Sequence, residues 1–174
     1  SYHVLGAYTD FYGGYWHDWD FGFGHWGEHA DTPGQKVWIW SLARSGGIWE
    51  DLLTDDDGQY VEAQAGRHFN QTLGSAGTPF GPRFFPPYVA DTWSETMFPV
   101  KEIGGMDDAA RYGVLHVDRE GDTVEIAINA LAAIDDTLRV QANGEPVHSE
   151  ALSLAPMEVA RRSVSVPSGS EPIT

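Results

Sequence analysis

The chain has 174 residues, enough for one domain or two small ones. Its 26 acidic residues against ten Lys plus Arg leave a formal charge of -16, which argues against phosphate backbones and anionic membrane surfaces as partners while leaving neutral ligands unaffected and attracting cations. With no Cys there is no disulfide, thiolate metal site or cysteine nucleophile, and no apolar run reaches the roughly 18 residues of a bilayer span.

The opening SYHVLGAYTD lacks a basic region followed by an apolar core, so no signal peptide is read there. It resembles the interior of a longer chain, and the compartment stays open with a lean towards the cytoplasm. All seven Trp, all eight Phe and every Tyr except Tyr112 precede residue 99. The first part of the chain must therefore hold an aromatic core or binding surface, and the second part consists of aliphatic strands.

Residues 35–43 alternate Val37 and Ile39 against Trp38 and Trp40, the period of a strand. Arg44 to Gly47 supplies a turn signal, and GIWEDLLT then reads as a second short strand or extended piece, the two together resembling a hairpin. A further turn at Asp55 to Gly58 leads into QYVEAQAGR, where Tyr60, Glu62 and Gln64 fall on one face and Val61, Ala63 and Ala65 on the other. The Gly- and Pro-rich stretch 74–87 is expected to be a loop, because proline cannot donate to a sheet ladder. YVADTWSETMFPV follows as an extended segment with Trp93, Glu95 and Met97 on one side.

After Gly104 and Gly105 the chain reads as a meander of short antiparallel strands. One hairpin turns at Arg119 to Asp122 and another at Asn143-Gly144, the strongest short hairpin signal. The tail PSGSEPIT is a linker or frayed end. No long amphipathic helix is visible. The expected class is all-β, an antiparallel β-sandwich followed by a small β-meander, with bounds at 1–105, 106–167 and 168–174.

Several side chains carry potential chemistry. Glu62 stands on a strand with the amide of Gln64 two residues on, followed by Arg67 and His68; a carboxylate among hydrogen-bonding groups can take a proton from a sugar hydroxyl, or can simply be a structural acid paired with Arg67. Glu95, beside Trp93, is a second acid, and two carboxylates at suitable separation permit glycoside hydrolysis. His25, His29 and His68 are possible proton donors, since imidazole titrates near neutrality. Trp26, Trp38, Trp40 and Trp93 could stack on pyranose rings or fill a core. His17, Asp18, Asp20, His25 and His29 fit no recognised zinc spacing, and Asp55 to Gly58 departs from a calcium loop, so no metal and no cofactor are expected.

The V-E-A-Q strand at 61–64 resembles the E-x-Q strand of the aldose 1-epimerases, the galactose mutarotase superfamily. G-F-G-H-W at 22–26, P-G-Q-K-V-W-I-W at 33–40, the whole of 49–67 and W-S-E-T-M-F-P-V at 93–100 resemble an uncharacterised mutarotase-like domain family often joined to tetratricopeptide repeats. That resemblance implies a supersandwich with a sugar cleft, of which this chain would be a C-terminal portion. It implies Glu62 as the base that deprotonates the anomeric hydroxyl and a histidine, His25 by chain order, as the acid at the ring oxygen.

The resulting expectation is a carbohydrate-active domain working by acid–base chemistry on a mono- or oligosaccharide. Glu62, Glu95 and His25 are its catalytic candidates, and Trp26, Trp38, Trp40, Gln64, Arg67, His68 and Trp93 its substrate contacts. A non-catalytic carbohydrate-binding module and an interaction domain of a repeat protein are the alternatives. A sheet edge left open would favour a homodimer or pairing with the rest of the same polypeptide.

Overall fold

The structure is a computed structural model that describes residues 2–3, 9–40, 43–53, 58–66 and 86–170. In chain order its elements are β1 (Tyr2–His3), β2 (Phe11–Trp16), a 3-10 turn (His17–Trp19), β3 (Phe21–Trp26), β4 (Lys36–Ile39), α1 (Ile48–Leu53), β5 (Val61–Gln64), β6 (Thr96–Lys101), β7 (Asp108–Ala110), β8 (Gly113–Glu120), β9 (Thr123–Ala130), β10 (Ile134–Ala142), β11 (Glu145–Leu154) and β12 (Val159–Ser165). The class is all-β: every described strand pairing is antiparallel, and α1 is a helix of six residues. No described helix is long and apolar enough to cross a membrane. The chain forms two compact units that interleave in sequence, one from residues 1–12 and 27–95, the other from 13–26 and 96–174.

The first unit holds the sheet β1-β4-β5. Its central strand is the Val/Trp/Ile alternation read from the sequence, but its partner is β5. Lys36 lies opposite Gln64, Val37 opposite Ala63, Trp38 opposite Glu62 and Ile39 opposite Val61. The segment 48–53, expected as a strand, is instead α1. Its apolar residues Ile48 and Leu52, and Trp49 and Leu53, recur four apart, which is the helical period and was hidden in so short a stretch. The preceding turn already winds the chain, with Gly46 N–H donating to Ala43 O at 2.8 Å and Trp49 N–H to Gly46 O at 3.1 Å. Glu50 and Asp51 in the first turn suit its positive end. The Asp55 to Asp57 turn and most of the expected 74–87 loop lie outside the described residues.

The second unit begins with the sheet β2-β3-β6. In β3, Gly22 and Gly24 share one face. A Cβ on Gly24 would sit 2.2 Å from the ring of Phe98, its register partner, and one on Gly22 would meet Tyr15 and Val100 at 2.8 and 3.0 Å. The glycines therefore leave room for neighbouring side chains on the buried face, where Phe98 and Val100 are packed. Pleating sends Phe21 and Phe23 to the opposite, open face beside Trp16.

The rest of the unit is a small sandwich of the four-stranded sheet β12-β9-β8-β7 and the ribbon β10-β11. Val124 and Ile126 of β9, Val140 and Ala142 of β10, and Val164 and Val166 from the end of β12 form its main core, extended by Leu115 and Val117. Ala130, Leu152, Leu154 and Ala160 form a second cluster. Asn143 and Gly144 both take positive φ, 53° and 80°, as the tight turn of the β10-β11 ribbon requires. Pro146, which has no amide to donate, sits at the register shift after Val140.

A hydrogen-bonded knot ties the 3-10 turn to the loop after β6. Tyr15 donates its phenol proton to Asp20 Oδ1 at 2.5 Å and accepts the N–H groups of Ile103 and Gly104 at 3.1 and 3.0 Å. Gly104 N–H also reaches Asp20 Oδ1 at 2.9 Å, and Glu102 N–H donates to Asp20 O at 2.7 Å. These donors hold the Asp20 carboxyl below its usual range, the Tyr15 bond first and the Gly104 amide second.

Two outcomes follow from this packing. Ile126, 6% exposed between the two layers, is expected to cost about 2–5 kcal/mol when changed to alanine, read as a lowered urea midpoint for the unit. Because the folded Asp20 pKa is depressed, its stabilisation is present above the ordinary value of 3.8 and disappears as pH falls through the folded value. Asp20→Asn, which keeps a residue tolerant of the positive φ of 49°, should therefore be destabilising at neutral pH with a difference that vanishes in acid, followed by thermal melts across pH.

Candidate functional site

Residues directly opposite in an antiparallel pair project to the same face. The β4-β5 register thus sets Lys36 and Gln64, and Trp38 and Glu62, on one face of the first unit's sheet. Trp40 joins them, since its N–H meets Tyr60 O at 3.3 Å just beyond the ladder. The opposite face carries Val37, Ile39, Ala63 and Val61, the last half exposed. On the inner face, the one that carries Glu62, Lys36 is buried, and across the sheet Val61 is half exposed, while the other residues of both faces are partly exposed.

On the inner face the side chains engage one another. Gln64 Nε2 donates to Glu62 Oε2 at 2.7 Å, as expected from their shared side of the strand. The Tyr60 phenol also bonds Glu62; burial of the ring, then the charge of Glu62 and this bond, raise its pKa above the ordinary 10.0. Trp38 and Trp40 stack with centroids 6.0 Å apart, and Trp49 from α1 meets Trp40 edge-on at 5.8 Å. The indole N–H groups of Trp38 and Trp40 and the Gln64 carbonyl are buried and make no hydrogen bond among the described residues.

Lys36 was not singled out from sequence. It is 2% exposed, its Nζ donates to Gly34 O at 3.1 Å, and burial lowers its pKa. The signal that could have found it is its position in phase with Trp38 and Trp40. Tyr60, placed on the Glu62 face from the sequence but given no role there, is a direct partner of Glu62.

Glu95 and Trp93, expected on one side of an extended segment, precede β6 and are joined by a bond from Trp93 Nε1 to Glu95 Oε1 of 2.5 Å. A Cβ on Gly66 would lie 3.9 Å from that same oxygen, so Glu95 approaches the chain just past β5. Its charge also acts on Tyr12, whose phenol is pushed up first by burial and then by Glu95. His25 and Trp26 belong to the second unit: His25 is buried on β3 opposite Met97, and Trp26 pairs with Thr96 at the strand's end. Arg67 and His68 lie outside the described residues. Among the described residues no three His, Cys, Asp or Glu side chains group closely enough to hold a metal ion.

A family model described as a domain of unknown function, DUF5107, matches residues 1–100. No solved structure matches the chain.

The Tyr60–Glu62 contact has a measurable consequence. Glu62→Gln removes the negative charge that opposes phenolate formation, so the Tyr60 phenol should ionise at lower pH than in the native chain while burial keeps it above 10.0. Ultraviolet titration of the tyrosines, with Tyr60→Phe to assign the transition, checks this.

Proposed function

Because the chain belongs to the DUF5107 family of domains of unknown function, its activity must be argued from its own side chains, and we propose that the inner face of β4-β5 binds a sugar and moves a proton on it. The observation that carries the reading is the set of buried polar atoms that find no partner among the described residues, beside an oriented carboxylate: the indole N–H groups of Trp38 and Trp40, and the carbonyl of Gln64. A buried donor or acceptor without a partner costs about 1–3 kcal/mol, and a ligand rich in hydroxyls, or water standing in for it, removes that cost. Paired indoles also supply the flat apolar surface that the C–H face of a pyranose stacks on.

Glu62 is the group that accepts the proton. Gln64 and Tyr60 hold its carboxylate in one orientation, which favours a defined hydrogen bond to a single sugar hydroxyl. In the epimerase form of the reaction, the anomeric hydroxyl gives its proton to Glu62 as the ring C–O bond breaks and the ring oxygen takes a proton from water. The open-chain aldehyde then recloses on either face. The resemblance of the V-E-A-Q strand to the E-x-Q strand of the aldose 1-epimerases supports this assignment, and Glu95 is the second acid for the hydrolytic form.

The test is anomer exchange of aldoses followed by nuclear magnetic resonance, alongside sugar titrations of the indole signals. Glu62→Gln should lower the exchange rate by about 10²–10⁴-fold while sugar still binds, and Trp38→Ala should weaken binding itself. Saturable binding without turnover in either form would reduce the reading to a carbohydrate-binding module. Absence of any saturable sugar response overturns it.

A further inference from the structure

A second site, in the other unit, is formed where β2 ends. Tyr15, Trp16, His17, Asp18 and Trp19 line an open hollow of about 490 Å³, within the range of small-ligand pockets. Trp19 is 77% exposed and Trp16 47% exposed, a large indole surface to leave facing water unless something covers it. The hollow is also preformed. Tyr15 is anchored through its phenol to Asp20, Ile103 and Gly104, His17 Nδ1 donates to Gly104 O at 3.1 Å, and Trp16 is braced by Phe21 and Phe23 with centroids 6.4 and 5.8 Å away.

Charge decides what kind of ligand fits. Two carboxylates lie in this turn, and they are differently employed. Asp20 is engaged by Tyr15, Gly104 and the guanidinium of Arg161 at 3.7 Å. Asp18 lines the hollow and makes no hydrogen bond or ion pair among the described residues. Aromatic ring faces attract cations through their quadrupole, a carboxylate alongside adds to that attraction, and the chain as a whole carries -16. A small, strongly hydrated ammonium keeps its water in so open a hollow, whereas a methylated ammonium sheds little hydration and presents methyl groups to the rings.

We propose that this hollow is a binding site for a methylated ammonium group of the choline type, held by the exposed indoles of Trp16 and Trp19 and the carboxylate of Asp18. The site is independent of the sugar reading, since none of its residues belongs to the sheet that carries Glu62.

Choline is the probe, titrated into the full chain with tryptophan fluorescence as the readout. Its neutral carbon isostere 3,3-dimethylbutan-1-ol and sodium chloride at matched ionic strength serve as controls. A saturable response to choline alone is expected, weakened about five- to tenfold by Trp19→Ala and by Asp18→Asn and unchanged by Glu62→Gln. Trp19→Phe keeps a ring at the position, and should retain part of the affinity that Trp19→Ala loses. Equal binding of the neutral isostere, a response no different from that to sodium chloride, or unaltered affinity in both Trp19→Ala and Asp18→Asn would each overturn the proposal.

Discussion

The pleat of the β4-β5 ladder is the constraint from which the proposed sugar site descends. Side chains alternate strictly along each strand, and the register pairs Trp38 with Glu62 and Lys36 with Gln64. A slip of one residue would carry Glu62 and Gln64 to the face now holding Val61 and Ala63, and the bond between amide and carboxylate would no longer stand beside the indoles. Trp40 and Tyr60 extend the same face beyond the ladder, and the Trp38–Trp40–Trp49 contacts add area around it. Lys36 is buried and Trp38, Trp40, Glu62 and Gln64 are partly covered on this face, while Val61 on the other is half exposed.

The second unit reaches an aromatic surface by a different route. Its strand β3 reads F-G-F-G-H-W, and the two glycines leave space that Phe98, Tyr15 and Val100 occupy. The same alternation drives Phe21 and Phe23 outward, where they brace Trp16. The Tyr15–Asp20–Gly104 knot fixes the following turn at its base, so Trp19 stands exposed on a rigid support. A binding surface held in place before the ligand arrives loses less entropy on binding.

Much of the architecture was legible because it follows from local rules. Period-two alternation marked β4 and β5, Asn143-Gly144 marked the β10-β11 turn through its need for positive φ, and glycine placed the turn between β8 and β9. The shared orientation of Glu62 and Gln64 is the same rule applied to chemistry. Where two periods compete over few residues, the rule fails: Ile48 to Leu53 satisfied a strand reading until the turn at Ala43 to Gly47 started a helix.

Composition and alternation alone determined that this is an all-β chain with its aromatics in the first part and with one acid and one amide on a common strand face. Which strand would lie beside Glu62, and therefore that Trp38 faces it and Lys36 faces Gln64, was a matter of long-range pairing. So was the division of Glu62 and His25 between two compact units, since each unit is assembled from segments separated in the sequence. Hydrogen-bond registers and burial are decided by residues far apart along the chain, and no local pattern encodes them.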